Sequence, residues 1–379
     1  MLYTWFSAAH WNARLDRLVP EVVAPMTAHA INGAVEMTTA DQVERRPPMK
    51  KTDGRLERDR LRMMMLIRRF EERTYQEYTR PGQKIGGFCH LYSGQEAIAV
   101  GTASIFDQSR DYLINGYRCH GHSLALGMSP HAAMAELFGK ATGCSKGKGG
   151  SMHLFQAEVG NNGGHGIVGG QIPLGVGMAF AQWYKKTGGA TFCFMGDGAL
   201  NQGTLNESLN LASLYKLPCI FIVENNGIAM GTQVERSSAE KDLVKRGSGY
   251  AMPHYAVDGN DLDVVIAEFS KAKQRAVAGE GPTFIVANTY RFRGHSMSDP
   301  LKYRSKEEAE SAKLRDPIIL YADRLKNAAL VNDAQLQEIE QSVAGEIDQA
   351  AKQADADPFP ALEDRFNDVL AEKYPYEPG

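Results

Sequence analysis

An apolar stretch, Thr191-Phe-Cys-Phe-Met195, ends in Gly196-Asp197-Gly198, and a second, Cys219-Ile-Phe-Ile-Val223, runs through Glu224 into Asn225-Asn226. Both stretches are β-prone and uniformly apolar, as strands buried on two faces are. Glycines at the carboxyl end of such a strand stand where an open parallel sheet places its ligands. The two strand ends would thus present one carboxylate and one amide oxygen side by side. Hard oxygen donors of this kind suit Mg²⁺, which binds through one or two carboxylates together with substrate phosphates. Taken singly, Gly-Asp-Gly reads as a tight turn and Asn-Asn as a loop; their shared strand–helix–strand frame favours the metal site. His90, His120, His122 and His295 add groups that can donate or accept near neutral pH. His120-x-His122 also raises zinc, but no further Cys or His stands at the spacing a structural zinc needs.

The elements that must position these residues are visible as periodicity. Between the two strands, Thr204 to Tyr215 carries Leu205, Leu209, Ala212 and Leu214 on a helix face. Asp59–Thr79 predicts a helix with a broad Met- and Leu-rich core face, and Gln95–Ile105, Pro130–Gly139, Gln171–Tyr184 and Asp261–Ala278 predict further helices. Asp111–Asn115 and Thr283–Thr289 predict strands. Residues 143–170 hold so many glycines that no helix can run through them; Ser151-Met-His-Leu-Phe and Gly166-Ile-Val anchor them as an ordered loop that tracks a ligand. Alternating strands and helices predict an α/β doubly wound, mostly parallel sheet. The expected organisation is a flexible arm over 1–55, the α/β domain over 56–316, and a C-terminal helical segment with a Pro-marked tail over 317–379.

The bulk numbers allow this and narrow the partners. The chain has 379 residues and net charge −3, with 43% hydrophobic and 23% charged residues, enough for a sizeable core. Near-neutral charge gives no basis for a nucleic-acid or anionic-membrane partner, and no apolar run reaches the length of a bilayer span. Cys89, Cys119, Cys144, Cys193 and Cys219 contain no Cys-x-x-Cys pair and suit a reducing cytoplasm. Residues 1–50 have no secretory pattern, and Asp16, Glu21 and Glu36 argue against a mitochondrial transit peptide. A translation start nearer Met49 is the alternative to an arm.

Gly-Asp-Gly followed by Asn-Asn matches the thiamine-diphosphate motif, and from about Arg62 to Asp316 the chain resembles the α-subunit family of pyruvate dehydrogenase E1 components, of the heterotetrameric α2β2 kind. The resemblance implies the thiamine-diphosphate-binding fold, with Mg²⁺ held by Asp197, Asn226 and the main-chain carbonyl of Ile228. Ile228 departs from the larger aromatic usual there, which leaves the carbonyl contact intact. Tyr117, Arg118 and His295 would meet the diphosphate, Arg118 by forking onto two oxygens. Gly198 and Ala199 would offer N–H groups at a helix N-terminus. Gly166 and Val168 would meet the pyrimidine, with Val168 or Ile167 wedging the bent cofactor. His90, His120 and His295 would be the catalytic histidines, His90 near the 2-oxo acid and His120 a donor to substrate or intermediate.

The cofactor also needs a carboxylic acid against its pyrimidine N1′, and this chain has no room for a second doubly wound domain to carry one. Glu96 follows Gly-Gln in the α-subunit pattern and reads as structural. The glutamate is therefore expected from a separate β chain, at an α–β interface. The reaction implied is oxidative decarboxylation of pyruvate with acetyl transfer to the lipoyl group of an E2 acetyltransferase; acetoin or a branched-chain 2-oxo acid is the alternative substrate. Ser296 matches a position phosphorylated in eukaryotic relatives, and a charge there is expected to inactivate. An NAD-dependent oxidoreductase would need a third glycine that Gly196-Asp-Gly-Ala-Leu-Asn lacks. A non-catalytic interaction protein would not explain Arg118, Asp197, Asn226 and His295 all following strands.

Overall fold

The computed structural model describes residues 53–301 and 303–368. The expected arm lies outside them as far as residue 52, and so does the tail beyond residue 368. The helices are α1 (Arg55–Thr79), α2 (Glu96–Ala103), α3 (His120–Ala125), α4 (Pro130–Leu137), α5 (Gln171–Lys185), α6 (Gly203–Leu214), α7 (Val234–Ser237), α8 (Leu262–Val277), α9 (Lys306–Lys313), α10 (Pro317–Asn327) and α11 (Asp333–Ala356). The strands are β1 (Tyr112–Gly116), β2 (Asn161–His165), β3 (Thr191–Gly196), β4 (Cys219–Asn225), β5 (Ile228–Ala229), β6 (Thr232–Gln233), β7 (His254–Asp258) and β8 (Thr283–Asn288). Six strands form one sheet in the order β2-β1-β3-β4-β8-β7, and every pair in it is parallel. From β1 the chain goes out to the edge at β2 and returns to β3 on the other side. The strand order reverses there, and open α/β sheets bind ligands at such a reversal. Register puts Gly196 opposite Glu224 and Asn225 opposite Asn288, so the ends of β3, β4 and β8 are level.

Apolar strands buried on both faces need helices on both sides. Ile114, Cys193, Phe221 and Phe284 pack one face against Ile172 and Val176 of α5 and Leu205 and Leu209 of α6. Leu113, Phe192, Ile220 and Ile285 pack the other against Val265 and Phe269 of α8 and Ile98 of α2. A third layer joins Leu61, Met64, Ile67 and Phe70 of α1 to α10 and α11 through Leu325, Val343 and Ile347. The Met-rich face of α1 is core, as its spacing predicts. The C-terminal helices have strong start signals. Asp316 caps α10 ahead of Pro317, and Asn332 with Gln335 forms a capping box on α11. Several elements go beyond the sequence reading: β2, β7, the β5–β6 hairpin and the short helices α3, α7 and α9. The Gly-rich segment contributes the edge strand β2, because main-chain pairing with β1 needs no large side chain. The short helix α9 lies just ahead of α10.

Candidate active site

The carboxyl ends of β1, β2, β3, β4 and β8 open into one cavity of about 860 Å³. His90, Tyr117, Arg118, Gly166, Val168, Asp197, Gly198, Ala199, Asn226, Ile228 and His295 all line it. The sheet thus gathers into one place residues that lie far apart in sequence.

At one end stands Asp197, the first residue after β3, in a 3₁₀ turn over Asp197–Asn201. Its burial pushes the carboxyl up to about 6, while main-chain N–H groups and the cations Arg291 and Arg118 pull the other way. Asn226 Nδ2 donates to Gln95 Oε1 at 3.2 Å, which aims Asn226 Oδ1 the opposite way. That oxygen accepts from Arg291 Nη1 at 3.2 Å, and the same nitrogen donates to the Ile228 carbonyl at 3.3 Å. A Cβ on Gly198 would lie 2.5 Å from the Ala229 Cβ. The absence of a side chain at 198 therefore lets the β5–β6 hairpin close down and bring Ile228 to the Asp197 turn. The helix N-terminus expected at Gly198 is this five-residue turn instead; Gln202 is extended, and α6 starts at Gly203.

The opposite wall is cationic and aromatic. Arg118 Nη1 donates to the Leu91 carbonyl at 2.6 Å and Nη2 to the His295 carbonyl at 2.7 Å. The fork expected for two phosphate oxygens is thus engaged with main chain, and only N–H groups outside these two bonds can reach a phosphate. Burial, with Arg291 adding to it, pulls the guanidinium down to about 10. The rings of His90 and Tyr117 are 4.4 Å apart between centroids, and those of His90 and His295 are 5.2 Å apart. Tyr117 Oη lies 3.5 Å from His295 Nε2. Ser296 is buried beside them, its Oγ 2.9 Å from Ser298 Oγ. Val168 lines the cavity, whereas Ile167 is 78% exposed and belongs to neither the core nor the wall.

Of the three histidines read as catalytic, His120 is the one that the cavity wall does not include. It is fully buried, with Nδ1 3.0 Å from Glu71 Oε2 and Nε2 2.8 Å from Ser151 Oγ. Ser151 Oγ accepts from the His90 main-chain N–H at 3.3 Å, and Glu71 accepts from the Tyr92 N–H at 2.8 Å. The Glu71–His120–Ser151 chain thus ties down the loop bearing His90, and both His120 ring nitrogens are engaged with protein rather than open to the cavity. His122 takes different partners, Glu224 at 3.0 Å and Tyr92 Oη at 3.2 Å. Glu96 pairs with Arg68 at 2.6 Å and accepts from the Gly94 N–H, the structural part expected of it.

Sequence reasoning missed Arg291, Glu224 and Gln171, which all line the cavity. Arg291 lies in Tyr290-Arg-Phe-Arg293, where nothing local separates it from Arg293. The first is 1% exposed beside Asn226 and Ile228, whereas the second sits over the Tyr75 ring.

The donor set fits thiamine diphosphate with Mg²⁺. Asp197, Asn226 Oδ1 and the Ile228 carbonyl supply oxygens of the right hardness, and two of the three already hold a cationic nitrogen. Gln171 Oε1, Gln95 Nε2, His90 Nδ1 and His295 Nδ1 are buried polar atoms without a hydrogen-bond partner, and each belongs to a cavity-lining residue. Buried groups in that state mark places where a ligand's polar atoms belong. Phe88, Met195, Ile228 and Met230 give the apolar surface that rings need.

A family model described as "Dehydrogenase E1 component" matches residues 62–363. The chain is 47% identical over 317 residues to the pyruvate dehydrogenase E1 component subunit alpha of Zymomonas mobilis, covering 83% of this chain and 88% of that protein. It is 47% identical over 310 residues to the protein of that name from Rhizobium meliloti, covering 82% and 88%. The somatic, mitochondrial form of Bos taurus is 43% identical over 318 residues, with 83% and 80% covered.

Proposed function

The chain belongs to the dehydrogenase E1 component family, and we propose that it acts there as the α subunit of a pyruvate dehydrogenase E1. In that reading it takes part in oxidative decarboxylation of pyruvate and transfer of the acetyl group to the lipoyl group of an E2 acetyltransferase. The observation that carries the reading is the oxygen set of Asp197, Asn226 and Ile228 at level strand ends, in a chain of this family. Bound thiamine diphosphate would supply the carbon nucleophile and the electron sink for decarboxylation. Asp197, Asn226 and the Ile228 carbonyl hold Mg²⁺. Arg118, Tyr117, His295 and the main chain at Gly198 and Ala199 face the diphosphate, and Gly166 and Val168 face the pyrimidine. His90 and His295, kept neutral by burial, orient the 2-oxo acid by hydrogen bonds. The apolar wall excludes water, which strengthens each of these contacts.

A β chain completes the site. Among the described residues three carboxylates line the cavity, Asp197, Glu224 and Asp299. Glu224 is engaged by Tyr92 and His122, and Asp299 by Tyr303 and the His295 N–H. Asp197 belongs to the metal, so none is left for the pyrimidine N1′, which supports an α2β2 assembly. Among the described residues no helix is long and apolar enough to cross a membrane. The bacterial relatives favour work in the cytoplasm over the mitochondrial matrix. The test is calorimetry with thiamine diphosphate and Mg²⁺, followed by turnover of pyruvate and of a branched-chain 2-oxo acid, with and without a β subunit. Cofactor binding and pyruvate turnover in the assembly are expected, both lost in Asp197→Ala. Failure of the assembly to bind the cofactor, or a preference for the branched-chain acid, would refute the reading.

A further inference from the structure

We propose that Arg291 is the resident cation of the metal-free site: its guanidinium holds the oxygens that Mg²⁺ takes over, so metal and Arg291 compete until diphosphate arrives. The inference rests on the cofactor reading above and concerns what this chain does before the cofactor binds.

Among the described residues Arg291 is the largest of the fully buried side chains. Its four hydrogen bonds all go to uncharged oxygens: Asn226 Oδ1, the Ile228 carbonyl, the Arg293 carbonyl at 3.1 Å and Tyr303 Oη at 3.2 Å. The Asp197 and Asp299 carboxyls feel the Arg291 charge but neither is hydrogen-bonded to it, and a diphosphate would bring an anion that the guanidinium can bond directly. Mg²⁺ entering alone would face the same two oxygens with a positive charge already on them. With diphosphate present, Arg291 has an anion to turn to and the oxygens are released to the metal.

Arg291 also ties the site to the loop after β8. Tyr303, which it holds, donates to Asp299, and Asp299 accepts from the His295 N–H at 2.7 Å. Arg304 donates back to the Arg291 carbonyl. Letting go of Asn226 and Ile228 therefore loosens residues 291–301 and 303–304.

Mn²⁺, followed by electron paramagnetic resonance, serves as the probe on the full chain in its native assembly, stripped of metal and cofactor. Wild type is expected to bind Mn²⁺ weakly alone and about fivefold or more tighter with thiamine diphosphate, the usual scale of coupling between two ligands. Arg291→Met should bind Mn²⁺ alone about fivefold or more tighter than wild type and gain less from the cofactor. Unchanged or weaker Mn²⁺ binding by Arg291→Met, with normal binding once thiamine diphosphate is added, overturns the inference and leaves the functional reading intact. No Mn²⁺ binding by wild type even with thiamine diphosphate overturns both. Amide exchange on wild type needs no variant to fold and separates displacement from repulsion at a distance. Saturating Mn²⁺ alone should speed exchange in 291–301 and 303–304, and unchanged exchange there overturns the inference.

Discussion

Burial pulls the His90 ring down to about 2 and the His295 ring down to about 4, with Arg118 adding to the effect in both. A histidine in the unfolded chain takes up its proton near pH 6.5. The folded rings refuse it until the pH is far lower, so between those values the unfolded chain binds more protons. Stability is then fully present above about pH 6.5 and falls as the pH drops toward about 4. His295→Gln should flatten the loss of Tm between those two pH values in the cofactor-free protein. A Tm curve parallel to wild type would mean that the ring protonates freely within the fold. At this scale the site was partly legible. Asp197, Asn226 and Arg118 stood out because each follows an apolar strand, and all three line the cavity. Arg291 did not stand out, because a buried guanidinium and a solvated one look alike in Tyr-Arg-Phe-Arg. His120 stood out as a residue of interest, but its burial away from the cavity wall was not legible: its partners Glu71 and Ser151 come from distant segments that no local spacing reveals.

The elements carry the site by holding strand ends level and by closing the β5–β6 hairpin over Gly198. A Cβ at 198 would meet Ala229 at 2.5 Å, a clash relieved only by lifting the hairpin, and strain of this kind costs about 1–3 kcal/mol. Gly198→Ala should therefore move the Ile228 carbonyl away from the Asp197 turn. The expected result is about tenfold or greater loss of metal–cofactor affinity by calorimetry, with a smaller change in the Tm of the cofactor-free chain. Wild-type affinity in this variant would show that the hairpin position does not set the metal site. The strands β3, β4 and β8 and the helices α1, α5, α6 and α8 were legible because each buries a continuous run or a 3.6-residue stripe. β2 was not, since Asn161-Asn-Gly-Gly-His has no apolar content and pairs through its main chain alone. α9 has no buried residue, and Ala309 and Ala312 are the only apolar points in its sequence, too few to mark a core-facing stripe.

For the molecule as a whole, the apolar surface that the core does not use bears on the proposed β chain. Leu174, Phe180, Trp183 and Tyr184 on α5 are exposed, as are Leu211 and Leu214 on α6 and Tyr215 just beyond it. The Phe180 ring touches those of Trp183, Tyr184 and Tyr215. Their small neighbour Gly177 faces outward with nothing near its missing Cβ, while Gly175, one turn face away, packs on Cys193 and Ile114. Contiguous aromatic surface of this sort marks a subunit interface more often than a solvated face. The same helix begins at Gln171, whose side chain lines the cavity, so a subunit covering α5 would lie close to the site that lacks a carboxylate. Trp183→Glu combined with Leu214→Glu alters only exposed positions and should leave the Tm of the isolated chain within about 1 °C. In the α2β2 assembly the same pair should weaken association about thirtyfold or more, equivalent to roughly 2 kcal/mol at a buried aromatic contact. Light scattering on diluted samples would then find separate chains where wild type remains a tetramer, with pyruvate turnover falling in step and recovering at high β-subunit concentration. A tetramer of unchanged affinity would mean that α5 and α6 face solvent in the assembly and that the β chain reaches the cavity from another side.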